Sequence, residues 1–318
     1  MLNLDRKDPA LLDTVDGRTM LAGSNRMEIL LFSLGTSEIF GINVFKVREV
    51  SKTPFITKAP NMPAGVEGLI SLRGNVIPVL SLAKILGLGE ASDPLGGSMM
   101  VTEYSKRTLG FLVDEVDRII RVEWDKVRTP DNVSSNVHSF ITAITELADG
   151  KLVSILDVET ILANTFGEAV VGNIAPLGNG HEVNVFFVDD SAVARRKIAE
   201  VLDKLGVRHK HAQNGLEAWT RLEGMASHAQ QMGRHVGEEI DLILVDAEMP
   251  EMDGYVLTRN IKNDVRFEGI PVVMHSSLSS EANRAMGKRV GVDSYVAKFD
   301  ADVLADTLRP LLLKARQV

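Results

Sequence analysis

The chain has 318 residues, 45% of them hydrophobic and 25% charged, with a formal net charge of -8 and no cysteine. That length predicts about two domains, and the lack of thiols excludes disulfides and cysteine nucleophiles and points to a reducing cytoplasm. Acid exceeds base in both halves of the chain, which excludes the basic surface that a nucleic-acid partner requires. No apolar run approaches the roughly 18 residues of a membrane span, so no direct membrane insertion is expected. Residues 1–8 carry acids where a secretory signal is basic and then apolar.

Residues 1–25 read as an N-terminal helical segment, in which Asp8-Pro9 makes a helix start and Leu11, Leu12 and Val15 share a face. From 26 to 166 the pattern is β. Residues 27–34 and 39–42 flank Gly35-Thr36-Ser37 as a hairpin. Further strands are predicted at 66–72, 76–80, 99–104, 108–113, 117–122, 141–147 and 152–156, with short helices at 82–86 and 158–166. Gly and Pro punctuate nearly every junction, as in small barrels or a sandwich. The one histidine here, His138, has no ligand spacing around it, and neither a nucleophile–base pair nor a phosphate-binding glycine loop is present. By elimination this is a binding module rather than an enzyme. Residues 167–180 are rich in Gly, Ala and Asn and read as a flexible linker.

Beyond 181 strand and helix alternate. Strands are predicted at 183–188, 208–212, 241–245, 271–274 and 294–297, with helices at 193–205, from 216, near 254–263, at 281–290 and at 301–315. Such alternation gives right-handed crossovers and an α/β doubly wound parallel sheet. Residues 224–239 are long for a connection and read as an extended helix or a polar loop, without a metal role for His228 and His235.

Within this sheet the run Leu242-Ile243-Leu244-Val245 suits a strand buried on both faces. Asp246 then leaves the sheet at its carboxyl end, the edge where open α/β folds place ligands. Asp189-Asp190 follows the first strand, Ser276-Ser277 the fourth and Lys298 the fifth. Each alone reads as a helix cap or a solvated charge; at the same ends of one parallel sheet they converge. Neighbouring carboxylates repel unless a cation intervenes, and a hard divalent ion with oxygen ligands, Mg²⁺, answers that need. Asp246 is then a nucleophile toward a phosphoryl group. Mg²⁺ and Lys298 neutralise the phosphoryl oxygens, and Ser276 donates to one of them. An acyl phosphate adds roughly -1.5 to -2 charge. Drawing Ser276 inward vacates space for Tyr295, a two-state switch.

With the acidic pair, the segment Val245-Asp246-Ala247-Glu248-Met249-Pro250, Ser276, Tyr295 and Lys298, residues 181–318 resemble the receiver domain of bacterial response regulators. The resemblance implies phosphorylation of Asp246 by a histidine kinase, with Asp189, Asp190 and the backbone carbonyl of Glu248 near Mg²⁺. Receivers usually carry a cis proline after the lysine, where this chain has Phe299. A non-proline cis bond costs about 2.5–4 kcal/mol, which leaves open a trans bond and a differently aimed Lys298.

Residues 26–166 resemble the CheW coupling domain of bacterial chemotaxis. The resemblance rests on Phe45-Lys46-Val47-Arg48-Glu49-Val50, on Leu72-Arg73-Gly74 followed by Val76-Ile77-Pro78-Val79, on Leu112-Val113-Asp114-Glu115-Val116, and on residues 152–158. It implies two linked SH3-like barrels that contact receptor tips and kinase through Val47, Glu49 and Arg73. The two in this order resemble CheV-type chemotaxis proteins. That likeness implies a non-enzymatic cytoplasmic adaptor on membrane receptor arrays. It would couple chemoreceptors to the histidine kinase CheA under control of Asp246 phosphorylation. A second reading has the receiver drain phosphoryl groups from CheA, with the first domain serving only for localisation.

Overall fold

The computed structural model describes residues 26–89, 97–104, 107–129, 140–168, 170–178, 182–277, 281–298 and 300–314. The helix expected within residues 1–25, His138 and Phe299 lie outside them.

The amino-terminal part runs β1 (Arg26–Ser33), β2 (Ile39–Asn43), β3 (Val47–Lys52), β4 (Val66–Leu72), β5 (Asn75–Ser81), α1 (Leu82–Ile85), β6 (Ser98–Tyr104), β7 (Arg107–Val113), β8 (Glu115–Glu123), β9 (Ile141–Glu146), β10 (Leu152–Leu156) and α2 (Val158–Phe166). These strands form two five-stranded sheets, in the orders β8-β1-β2-β10-β9 and β3-β6-β7-β5-β4. The outer strands of each order do not pair with one another among the described residues, so the sheets are open in their hydrogen bonding. The apolar run of β1 follows from its two burial faces. Leu30 and Phe32 enter the core shared by the two sheets, with Phe111, Met100, Leu80 and Ile161. Ile29 and Leu31 face a second cluster with Val153, Ile155 and Trp124. Side chains alternate across a strand, so a strand covered on both faces needs no polar positions. The strand missed by periodicity is β3, whose sequence VREVSK alternates only weakly.

The carboxy-terminal part runs β11 (Asn184–Val188), α3 (Ala192–Leu205), β12 (Arg208–Ala212), α4 (Gly215–Gln231), β13 (Leu242–Asp246), α5 (Gly254–Asn263), β14 (Val272–Ser276), α6 (Glu281–Val290), β15 (Ser294–Ala297) and α7 (Ala301–Lys314). All pairings in its sheet are parallel, in the order β12-β11-β13-β14-β15. Every residue of β13 is buried. Leu242 and Leu244 pack with α3 and α7 on one face, and Ile243 and Val245 with α4 and α5 on the other. The long stretch after 224 extends a helix: α4 continues to Gln231 before a 3-10 turn at Val236–Glu238.

The expected flexible linker is corrected over its described part. Val171 and Ile174 are buried against α3 and α7. The amide of Leu177 donates to the carbonyl of Leu205, and Lys204 Nζ donates to the carbonyls of Val171 and Gly172. The anchors are the two apolar side chains Val171 and Ile174, set among exposed small residues such as Gly172, Ala175 and Gly178, a pattern that composition cannot separate from a loose tether.

The turn after β13 is closed just as tightly. The Gly254 amide donates to the carbonyl of Ala247 at 3.0 Å, and a Cβ at position 254 would lie 1.9 Å from the Asp246 carbonyl oxygen. Gly254→Ala is therefore expected to lower stability by about 1–3 kcal/mol through overpacking, read as a lower urea midpoint.

Candidate functional site

The topology reverses direction between β11 and β13, which opens a crevice at their carboxyl ends. Asp189 follows β11 and Asp246 ends β13, and both are buried. The Asp189 carboxylate accepts the Ser191 amide at 2.9 Å. Ser191 in turn caps α3, which fixes the acidic pair at a helix entry. Arg195 donates to the carbonyls of Asp189 and Asp190 at 2.8 and 2.9 Å. One carboxylate oxygen from each of Asp189, Asp190 and Asp246 lies within 4.8 Å of the other two. This is an all-oxygen donor set suited to a hard cation.

Lys298 crosses to the same point. Its amide donates to the carbonyl of Ser276 at 2.8 Å, and its Nζ lies 2.8 Å from oxygens of both Asp246 and Asp189. The different aim left open by Phe299 is not what the structure has. Burial and the crowding of acids set the electrostatics. Burial pushes the Asp246 carboxyl well above the ordinary range, opposed by Lys298 and reinforced by Asp189, Asp190 and Glu159. Asp189 is pushed up to about 7, by burial first, with Lys298 opposing and Glu159 and Asp190 adding to it. Burial works against the charge of Lys298, and the surrounding Asp189, Asp246, Glu159 and Asp190 outweigh it, holding the ammonium well above its usual value. A site whose acids resist ionisation in the absence of added positive charge is the environment a divalent ion stabilises.

Ser276 is fully buried at the end of β14 and is hydrogen-bonded to the Tyr295 side chain. Tyr295 packs inward on Ala247, Tyr255 and Met274. Tyr255, which sequence reasoning passed over, forms the floor beneath it. Of the expected contact residues of the first part, Arg73 is exposed on a turn with φ 49° and pairs with Glu49. Val47 is 3% exposed and sits in the shared core. Its role is packing, because a buried valine offers a partner nothing to touch.

The largest feature the sequence did not announce is that the amino-terminal part covers the acidic crevice. Glu159, in the first turn of α2, is buried and places Oε1 3.4 Å from Lys298 Nζ. Thr142 Oγ1 donates to Asp190 Oδ2 at 2.9 Å, and Asn43 Nδ2 donates to Glu248 Oε1 at 2.7 Å. The Glu251 amide donates to the Trp124 carbonyl at 3.2 Å. Lys46 adds a second ammonium: burial works against its charge, and Glu159, Glu248 and Asp190 outweigh it. Asn43, Thr142 and Glu159 each have ordinary local readings on a strand or a helix start, so no periodicity marks them.

Residues 28–166 match the CheW-like domain family and residues 185–309 the response regulator receiver domain family. The chain is similar to chemotaxis protein CheV3 of Helicobacter pylori, at 31% identity over 87% of this chain and 89% of that protein. It is similar to chemotaxis protein CheV1 of the same organism at 27% identity, over 89% and 92%. A probable chemotaxis protein CheW of Rhizobium etli matches at 28% identity over 45% of this chain and 91% of its own length.

Because Asp190 supplies one of the three converging carboxylates, Asp190→Asn is expected to abolish most of the rise in melting temperature that millimolar Mg²⁺ gives the wild type. Thermal melts with and without Mg²⁺ read this.

Proposed function

The chain belongs to the CheV family of chemotaxis proteins, and on that premise we propose that it is a non-enzymatic adaptor whose Asp246 is phosphorylated to adjust the coupling of chemoreceptors to the histidine kinase CheA. The observation that carries this reading is the convergence of Asp189, Asp190 and Lys298 on the buried Asp246. Asp189, Asp190, Asp246 and the backbone carbonyl of Glu248 would hold Mg²⁺. When bound, the ion supplies positive charge against the phosphoryl oxygens.

This chain's own residues do the rest. A carboxylate oxygen of Asp246 attacks the phosphorus of a kinase phosphohistidine. The P–N bond breaks, and the imidazole leaves with the electron pair and takes up a proton from water. Lys298, held ionised by its acidic neighbours, balances the charge that the phosphoryl group brings to the crevice. The Ser276 hydroxyl, at the end of β14, is positioned to answer that group, and Tyr295 follows Ser276 through their hydrogen bond. The exposed Arg73, paired with Glu49, presents a planar donor fork on a tight turn. That suits it to the kinase regulatory domain or a receptor tip. Among the described residues no helix is long and apolar enough to cross a membrane; the proposed location is cytoplasmic, at receptor arrays, through protein partners.

Incubation with phosphorylated CheA or acetyl phosphate plus Mg²⁺ is expected to place one acyl phosphate on the wild type and none on Asp246→Ala. In receptor–kinase assemblies Asp246→Ala should alter kinase activity. Normal coupling in every receptor state would instead favour a receiver that only drains phosphoryl groups. Arg73→Glu, which sets two carboxylates face to face, should weaken co-sedimentation with the arrays by about 1–2 kcal/mol, roughly five- to thirtyfold in Kd; unchanged co-sedimentation removes Arg73 from the interface.

A further inference from the structure

We propose that the CheW-like domain is an internal ligand of the receiver's phosphorylation site, with Glu159 seated where the incoming phosphoryl group must be balanced, so that docking of the two domains and phosphorylation of Asp246 exclude each other. The inference rests on the reading of Asp246 as phosphoacceptor and adds its regulation.

Three observations carry it. The first is the presentation of Glu159. Asp157 caps α2, accepting the Thr160 amide at 3.0 Å and its hydroxyl at 2.7 Å, so Glu159 projects from a fixed first turn. It is 4% exposed, and its Oε1 shares Lys298 Nζ with Asp246 and Asp189. The second is charge bookkeeping across the boundary. Lys46 from the first domain stands among Glu159, Glu248 and Asp190, so the docked domain brings its own cation as well as its own anion to the acidic crevice. The third is space. With both domains in place Asp246 is 3% exposed and Lys298 6%, which leaves a donor imidazole no approach to the phosphoacceptor.

A phosphoryl group on Asp246 adds roughly -1.5 to -2 charge and needs the ammonium that Glu159 now shares. Two anions then compete for one lysine in a buried site, and the covalently attached one remains. The first domain is displaced, its Asn43 bond to Glu248 and Thr142 bond to Asp190 are lost, and the surfaces around Trp124, Asn43 and Lys46 open. Phosphorylation is thereby read as release, and the docked state restrains premature phosphorylation.

The native chain has no cysteine, so cysteines placed at Leu152 and Met232, which are 60% and 61% exposed, can carry a pair of spin labels that reports the distance between domains. The unphosphorylated protein is expected to give one narrow distance, and beryllium fluoride with Mg²⁺, the phosphoryl mimic, to broaden and shift it. Glu159→Ala, and Asn43→Asp, which sets a carboxylate against Glu248 outside the phosphorylation chemistry, should each take phosphate from acetyl phosphate about tenfold faster than wild type, as for a site roughly 90% docked. Circular dichroism melts establish that both variants are folded. Failure of either readout overturns the proposal: an unshifted distance on protein whose Asp246 carries the mimic, or unaltered rates in both variants, or acceleration in Glu159→Ala alone, which would make its effect local. In those cases Asp246 still accepts phosphate and the phosphoacceptor reading stands. If Asp246 takes no phosphate in the wild type or in either variant, both readings fall together.

Discussion

The ammonium of Lys298, closed off from water among carboxylates from three segments of the chain, is the interaction on which the structure turns. It lies 2.8 Å from Asp246 and Asp189 and 3.4 Å from Glu159. Removing one partner from a buried ion pair typically costs about 3–5 kcal/mol, because a charge is left without solvent or counterion. Here more anions than cations surround the point, so the cluster is bound together and under repulsive strain at once. That combination sits poorly with a purely structural role, since an apolar replacement of similar volume would hold the elements together as well. It suits a centre that receives and releases charge.

The fold delivers this centre by simple means. Burial of β13 on both faces fixes its depth in the sheet, and the reversal of strand order beside it leaves a crevice at its end. The turn from Ala247 to Gly254 is closed by backbone hydrogen bonding and by contact too close for a side chain. On the other side, the paired sheets of the CheW-like domain present the end of β2, the 3-10 turn at Val44–Lys46 and the start of α2 on one rim. Asn43, Lys46 and Glu159 belong to these three segments: the first two face Glu248 in the loop that follows Asp246, and Glu159 meets Lys298.

Much of this was written in periodicity. The unbroken apolar run of β13 and the acids and lysine at strand ends are local patterns, and a parallel sheet converts sequence order into a shared edge without further information. The apolar run Ile29-Leu30-Leu31-Phe32 of β1 had the same legibility once both of its faces found clusters. What stayed hidden depends on how two separate bodies meet. Glu159 reads as an ordinary acid in a helix's first turn, where it favours the dipole, and Thr142 reads as a strand residue. Val47 shows the opposite failure: a recognisable motif placed it at a partner surface, and the core took it. The strap at 170–178 misled through composition, because two buried apolar anchors among exposed small residues are enough to hold it down.

That strap has a kinetic meaning. With Val171 and Ile174 anchored to α3 and α7, the covalent path left between the end of α2 at Phe166 and the anchored segment is only a few residues long. The separated domains therefore never diffuse far apart, and each meets the other at an effective concentration in the millimolar range or above. A handful of polar contacts, too weak to join two free molecules, is then enough to favour reclosure. The chain behaves like a latch on a short chain, quick to catch again once the added charge is gone.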